Sequence, residues 1–380
     1  MTQRTFKTVV GQLLSEAGIT LNGSQPFDIQ VKDERFFGRF LSDGTLGLGE
    51  SYMDGWWESA ELEEMMARFA RAGLSRKFSS SARFVMNALR ARILNEGNCK
   101  NAAQGVERHY DIGNDLYEAM LDSTMTYTCA FWPGATDLAG AQRGKLELVC
   151  RKLMLAPGQT VLDIGCGWGG FAAYAARNYG VSVVGITNSR EQAKAAQTRC
   201  ADLPVEIRLQ DYREINGTFD RVLSIGMFEH VCYKNHRTYM ETVHRCLKPD
   251  GLSLLHTMGR KKTVARGNDQ WITRYIFPNT QVPSALQIGE AIDDLFVVED
   301  WENLSTNYEK TLLAWHRNFE ENWPQLSAKY SERFHRMWRY YLLVFAGWYR
   351  ARALQLWQVV LSKEGIVGGY PWAQNRTRFV

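Results

Sequence analysis

The sequence predicts an α/β fold built on a mostly parallel sheet, joined to a smaller, mainly helical N-terminal domain. Three observations predict it. Short apolar runs alternate with helical stretches of about 10–15 residues through the middle of the chain, the pattern of strands joined by right-handed crossovers. One of those runs ends in a cluster of glycines that opens a helix. Residues 1–100 carry no such loop.

Within that first segment, LGLGESYMDGWWES (46–59) is glycine-rich and then aromatic, and Trp56 and Trp57 read as a packing anchor between helices. From Arg71 to Lys100 there are seven basic residues and one acidic residue, Glu96. In RKFSSSARFVMNALRARIL (76–94) the apolar positions partly follow helical spacing, with Arg76, Lys77, Arg83, Arg90 and Arg92 between them. Such a helix suits an anionic bilayer, or equally the solvated face of a docked helix.

A second domain, 101–380, begins with VERHYDIGNDLYEAML and a helix over AQRGKLELVCRKLML. Pro157-Gly158 turns the chain into the buried strand QTVLDIGC. Helix FAAYAARNY, strand VSVVGI, helix SREQAKAAQTRC, strands VEIRLQ and FDRVLSIG, and helix HRTYMETVHRCL follow. Lys248-Pro249-Asp250-Gly251 reads as a turn before strand LSLLHTMG, and GRKKTVARGND as a polar insertion. The Trp- and Tyr-rich stretches TNYEKTLLAWHRNFEENWPQL and YSERFHRMWRYYLLVFAGWYRARALQLWQVVL read as packed helices that cap the sheet and roof a lipophilic pocket.

Composition narrows the function. Charged residues are 23% and apolar ones 45%, ordinary for a soluble protein with a substantial core. No run of apolar residues is long enough to span a bilayer, and the first residues lack an export signal. Seven cysteines without CxxC spacing point to reduced thiols in a cytoplasm and to no metal site. The net charge of +4 permits anionic partners without demanding nucleic acid, and neither a KH-like loop nor an RRM signature is present.

The sharpest local signal is VLDIGCGWGGFAAYAA (161–176). Glycines 165, 167 and 169 let the backbone approach a ligand where a strand turns into a helix. With Asp163 before the first glycine, the order resembles motif I of the class I S-adenosylmethionine-dependent methyltransferases rather than a dinucleotide loop. That likeness implies a Rossmann-like seven-stranded sheet. The following strand ends without the acidic residue common in such enzymes, so Thr187, Ser189 and Gln192 are expected to bond the ribose hydroxyls. Asp211, at the end of the next strand, is placed for the adenine edge, with Tyr212 beside it, or is a simple strand-end turn aspartate.

Together, ERHYDIGNDLYEAML, TYTCAFW, VLDIGCGWGG, GITNSREQ, FEHV, LLHTMG and YIFPN resemble the cyclopropane-fatty-acyl-phospholipid synthase family over nearly the whole chain. The resemblance implies that a methylene from S-adenosylmethionine is added across a cis double bond in a membrane phospholipid. It also implies a bound bicarbonate as base, with Cys129, Glu229, His256 and Tyr308 and the backbone of Met258 around it. Tyr127 and Thr128 are expected at the cofactor, and the rings of Tyr127, Phe131 and Trp132 suit a nearby cation. By itself Cys129 is a small hydrophobe among rings, or a weak donor to an anion. His230 is a further candidate, or a capping residue. The resemblance further implies a homodimer, peripheral on the inner face of the cytoplasmic membrane. A methyltransferase acting on a small molecule or RNA, or a non-catalytic lipid-binding scaffold, are the competing readings.

Overall fold

The computed structural model describes residues 3–74, 113–263, 269–278 and 280–374. The chain divides into two compact units, one comprising Met1–Asn95, Val264–Pro278 and Tyr308–Leu354, the other Glu96–Thr263, Asn279–Asn307 and Gln355–Val380. The helical unit is therefore not a contiguous N-terminal domain. Residues 308–354 of the Trp- and Tyr-rich stretches cluster with the N-terminal segment, where the helix Glu332–Arg350 buries its apolar side against the helices Leu62–Arg71 and Arg35–Met53. The boundary at residue 100 and the basic run 76–94 lie outside the described residues, as do residues 264–268 of the polar insertion.

In the helical unit, Trp57 lies on strand β2 (Trp57–Glu58), antiparallel to β1 (Gln30–Val31). Its ring is fully buried among Phe36, Tyr52 and Tyr340, and its indole N–H donates to Leu48 O and Ser51 Oγ. Trp56 instead lies under the Arg35 guanidinium, 4.6 Å from ring centre to Cζ. The expected anchor is thus Trp57 alone. Helix Glu332–Arg350 comes so close to helix Leu62–Arg71 at Gly347 that a Cβ there would collide with the Glu63 carbonyl oxygen and lie 2.9 Å from Met66 Cβ.

The other unit contains, among the described residues, a seven-stranded sheet of order β5-β4-β3-β6-β7-β9-β8. The strands are β3 (Thr160–Ile164), β4 (Ser182–Thr187), β5 (Val205–Leu209), β6 (Phe219–Ile225), β7 (Leu247–Arg260), β8 (Val297–Asn303) and β9 (Leu354–Ser362). Pairings β3/β4, β4/β5, β3/β6 and β6/β7 are parallel, and β8/β9 is antiparallel. Helices cover both faces. Alternate residues of β3 show it, with Leu162 and Ile164 in one apolar cluster and Val161 in the other. This is the Rossmann-like sheet expected, and its order reverses at β3, the place where open sheets of this kind bind ligands beyond the strand ends.

Two elements differ from the sequence reading. The Lys248–Gly251 turn is a bulge within β7, since Phe219 pairs with Leu247 while Arg221 pairs with Leu252. LQLWQVVL is not the end of a helix but the buried strand β9. The helix stops at Arg350, Arg352 takes a left-handed φ of 60°, and the Val-rich run then fills the interior of the sheet. Among the described residues no helix is long and apolar enough to cross a membrane.

Candidate active site

Where β3 gives way to the helix Gly170–Tyr179, Gly165, Gly167 and Gly169 have φ of 86°, 55° and 79°, a backbone that side chains rarely adopt. They do different work. A Cβ at Gly165 would lie 2.8 Å from Met227 Cβ, and one at Gly169 3.1 Å from Ala196 Cβ and 3.2 Å from Cys200 Sγ. A Cβ at Gly167 would meet no protein atom, because this glycine borders an open cleft.

The cleft is open to solvent, and the space in and around its mouth amounts to about 1100 Å³ with that solvent included. It is bordered by Tyr127, Thr128, Asp163, Gly165, Gly167, Thr187, Gln192, Asp211 and Tyr212, residues that the sequence reading expects at the cofactor and that the fold brings around one cleft. Gly169 and Ser189 support it from outside. Ser189 caps the helix Arg190–Arg199 by accepting from Gln192 N, and Thr187 Oγ1 donates to Gln192 Oε1 at 2.8 Å. Asp211 accepts three bonds from Arg213, through its backbone N, Nε and Nη2, at 2.8–3.0 Å. Burial alone would raise the Asp211 pKa, but these bonds outweigh it and hold the carboxylate below its ordinary range. Tyr212 packs edge-on against Tyr239.

Lys145 and Trp168 are among the cleft residues that escaped sequence reasoning. Lys145, on the helix Leu138–Lys152, is buried and donates to Thr128 Oγ1 at 3.0 Å. Burial lowers its pKa to about 8, opposed by the charges of Asp122, Cys129 and Asp163. Burial raises Asp163 to about 7 against the pull of Lys145. The signal was a polar pair, Gln142 and Lys145, at positions three apart among the buried apolar residues of the helix; Gln142 Nε2 donates to the carbonyls of Thr126 and Thr128. Trp168, in the glycine loop, packs against Tyr117, which also meets Tyr127, so that an aromatic wall borders the pocket. His230 borders it too, and burial lowers its pKa to about 4, leaving a neutral ring.

Glu229, His256 and Met258 come together at the end of β7. Ile225 of β6 pairs with His256, and Gly226 N donates to His256 O at 2.9 Å. Thr128 packs against that Gly226, where a Cβ would lie 2.7 Å from Thr128 Cγ2, which brings the TYTC run to the same strand ends. The Met258 amide donates to Glu229 Oε1 at 2.5 Å, so Met258 enters the constellation through Glu229. Glu229 Oε2 and His256 Nε2 are buried with no hydrogen-bond partner. Burial raises the Glu229 pKa to about 7, against the Met258 amide, its own backbone N–H and the nearby Thr257 side chain, which touches the carboxyl without a bond of full geometry to Oε2, and burial lowers the pKa of His256 well below its ordinary value. Cys129 is buried and its thiol donates to Ala130 O at 3.2 Å. Tyr308 belongs to the helical unit, where its ring meets Tyr349 and Trp315.

A further missed residue adjoins this group. Gln358 of β9 is fully buried and its Nε2 lies 3.1 Å from His256 Nδ1. A lone polar residue in the apolar run LWQVVL was the available signal.

The family model described as mycolic acid cyclopropane synthetase matches residues 98–359 of the chain. The chain is 51% identical over 361 residues to the cyclopropane-fatty-acyl-phospholipid synthase of Escherichia coli (strain K12), covering 95% of this chain and 94% of that protein. The solved structure of cyclopropane synthase MmaA2 from Mycobacterium tuberculosis is similar with a TM-score of 0.65 at 31% identity, over 69% of this chain and 98% of that one. The mycolic acid cyclopropane synthase CmaA1 complexed with SAH and CTAB is similar with a TM-score of 0.65 at 32% identity, over 69% and 98%.

Proposed function

The chain belongs to the mycolic acid cyclopropane synthetase family, and from that membership we propose that it is a cyclopropane-fatty-acyl-phospholipid synthase. Its methyl donor is S-adenosylmethionine, in keeping with the SAH-bound relative CmaA1. The acceptor is the cis double bond of an unsaturated acyl chain in a membrane phospholipid. The observation that carries the chemistry is that Glu229 Oε2 and His256 Nε2 are both buried without hydrogen-bond partners, Glu229 standing next in sequence to His230, which lines the cleft.

When bound, S-adenosylmethionine supplies an electrophilic methyl group. The glycine turn gives it backbone room, Asp163 and Gln192 offer acceptors and donors, and the Tyr117, Tyr127 and Trp168 rings exclude water and favour positive charge. Attack by the alkene leaves a carbocation, and the ring closes only when the transferred methyl loses a proton. The residues fit bicarbonate as the base. Leaving Glu229 Oε2 and His256 Nε2 buried and unbonded costs free energy that a small hydrogen-bonding anion removes. Glu229, with a pKa near 7, can share a proton with that anion instead of repelling it. Cys129 is proposed as a further member of that anion site, and Tyr308 is proposed as an anion ligand from the motif resemblance alone. Attachment to the bilayer surface by the basic run 76–94, and self-association as a homodimer, belong to the same reading, with no nucleic acid partner.

The test is incubation of the purified protein with S-adenosylmethionine and monounsaturated phospholipid vesicles, followed by mass spectrometry of the acyl chains. The expected product is heavier by one methylene and has lost its double bond, and saturated lipid is inert. A product that keeps the double bond, or transfer only to a small molecule or RNA, would overturn the reading. So would cofactor binding without turnover, the behaviour of a scaffold.

A further inference from the structure

Gln358 gives His256 a property that neither residue has alone. An amide nitrogen has no free lone pair, so in the 3.1 Å contact Gln358 Nε2 is the donor and His256 Nδ1 the acceptor. The ring is fully buried and neutral, and a neutral imidazole carries one N–H. With Nδ1 accepting, that hydrogen sits on Nε2, the buried atom without a partner. The other end of the amide, Gln358 Oε1, is also buried and unbonded, a cost that a residue serving only to fill space would not bring.

We propose that Gln358 is a positioning residue that holds His256 as its Nε2–H tautomer, so that the ring presents a hydrogen-bond donor to the oxyanion bound beside Glu229. The inference rests on the anion reading above for its role in catalysis, but its physical content, the position of one proton, stands apart from it. In the opposite tautomer Nε2 becomes an acceptor. It then turns a lone pair toward an anion whose other neighbour, Glu229 Oε2, is itself an acceptor when ionised. The β-strand order makes the device possible, because β9 lies next to β7 and carries residue 358 to the side of residue 256.

The experiment uses full-length protein labelled with ¹⁵N-histidine, with His256→Gln to assign the ring. Long-range proton–nitrogen correlation spectra of the wild type are expected to show a protonated Nε2 and an unprotonated Nδ1. Gln358→Glu puts an acceptor in place of the donor and is expected to move the proton to Nδ1. It should also lower the bicarbonate-dependent rate by roughly tenfold or more, in the direction of the kcat loss that a misplaced tautomer brings in a serine protease, with S-adenosylmethionine affinity unchanged. Gln358→Met, similar in size and without a hydrogen bond, is expected to give a mixture of tautomers and an intermediate rate. A wild-type ring protonated on Nδ1 overturns the proposal. So does a folded Gln358→Glu protein, judged by its cofactor affinity, whose ring and bicarbonate dependence match wild type. If the spectra respond to Gln358 while the wild-type rate ignores bicarbonate, the tautomer control is supported and the bicarbonate reading fails.

Discussion

Glu229 and Met258 are joined by a single bond, 2.5 Å from backbone N to Oε1, which anchors one carboxylate oxygen and leaves the other buried and unbonded. Glutamine keeps the anchored acceptor and removes the charge, so Glu229→Gln isolates the electrostatic role. Turnover is expected to fall about 100-fold or more, as for loss of a group that manages a proton, with cofactor affinity little changed. Initial rates against bicarbonate, with calorimetric titration of S-adenosylmethionine, measure it. Normal turnover would remove Glu229 from the chemistry.

The same carboxyl makes stability depend on pH. Its pKa is about 7 in the folded protein against an ordinary 4.5, so between those values the folded state holds a proton that the unfolded chain has released. Stability from this site is therefore greatest at acid pH and falls as pH rises through about 7, by up to ~3 kcal/mol. Glu229→Gln lacks that loss. Denaturant unfolding without bicarbonate should show the variant gaining on wild type between about pH 5 and about pH 8; parallel curves would reject the raised pKa.

Gly167 and Gly169 separate binding from folding. The Cβ of Gly167→Val meets no protein atom within 4 Å, so the variant is expected to stay folded, at a backbone cost of roughly 1–2 kcal/mol, and to lose cofactor binding because its branches point into the space that Gly167 borders. Gly169→Val drives into Ala196 and Cys200 and is expected to melt at lower temperature. Near-normal affinity in folded Gly167→Val would move the cofactor away from this loop.

Lys145 sets the charge of Asp163. Lys145→Met removes the cation that opposes the burial of that carboxyl, so the Asp163 pKa should climb above about 7. If the carboxylate binds the cofactor, the pH at which affinity reaches its plateau rises with it, on the order of one unit. Lys145→Arg, which keeps the charge, should shift it less. Calorimetric titrations across pH would show either outcome, and an unmoved midpoint in Lys145→Met would detach Lys145 from Asp163.

What the sequence made legible was local. β3, its glycine turn and the following helix form one contiguous stretch whose periodicity and glycines carry the pattern in the chain itself. Glu229 and His256 were found through motif resemblance and their positions at strand ends. Gln358 was not, because nothing near it records that β9 inserts between β7 and β8, bringing together residues 102 apart. The divided helical unit was hidden for a similar reason. The apolar side of helix Glu332–Arg350 says that it is buried, and only tertiary packing says against which partner.

The basic run 76–94 carries the final prediction, argued from its sequence because it lies outside the described residues. The acyl double bond lies within the hydrocarbon layer, and among the described residues no helix is long and apolar enough to cross a membrane, so the proposed reading has the enzyme draw its substrate from the bilayer surface. Each basic side chain near an anionic surface contributes about 1 kcal/mol of attraction. Replacing Arg83, Arg90 and Arg92 by glutamate turns three such attractions into repulsions while leaving Phe84, Val85, Leu89 and Ile93 to insert. Sedimentation with anionic phospholipid vesicles should fall sharply in low salt and less in high salt, where screening has already weakened the wild type. Turnover on detergent-dispersed unsaturated lipid should be kept, since the substitutions lie far along the chain from Glu229, His256 and Gln358. Binding that ignores both the substitutions and the salt would assign membrane attachment to another surface.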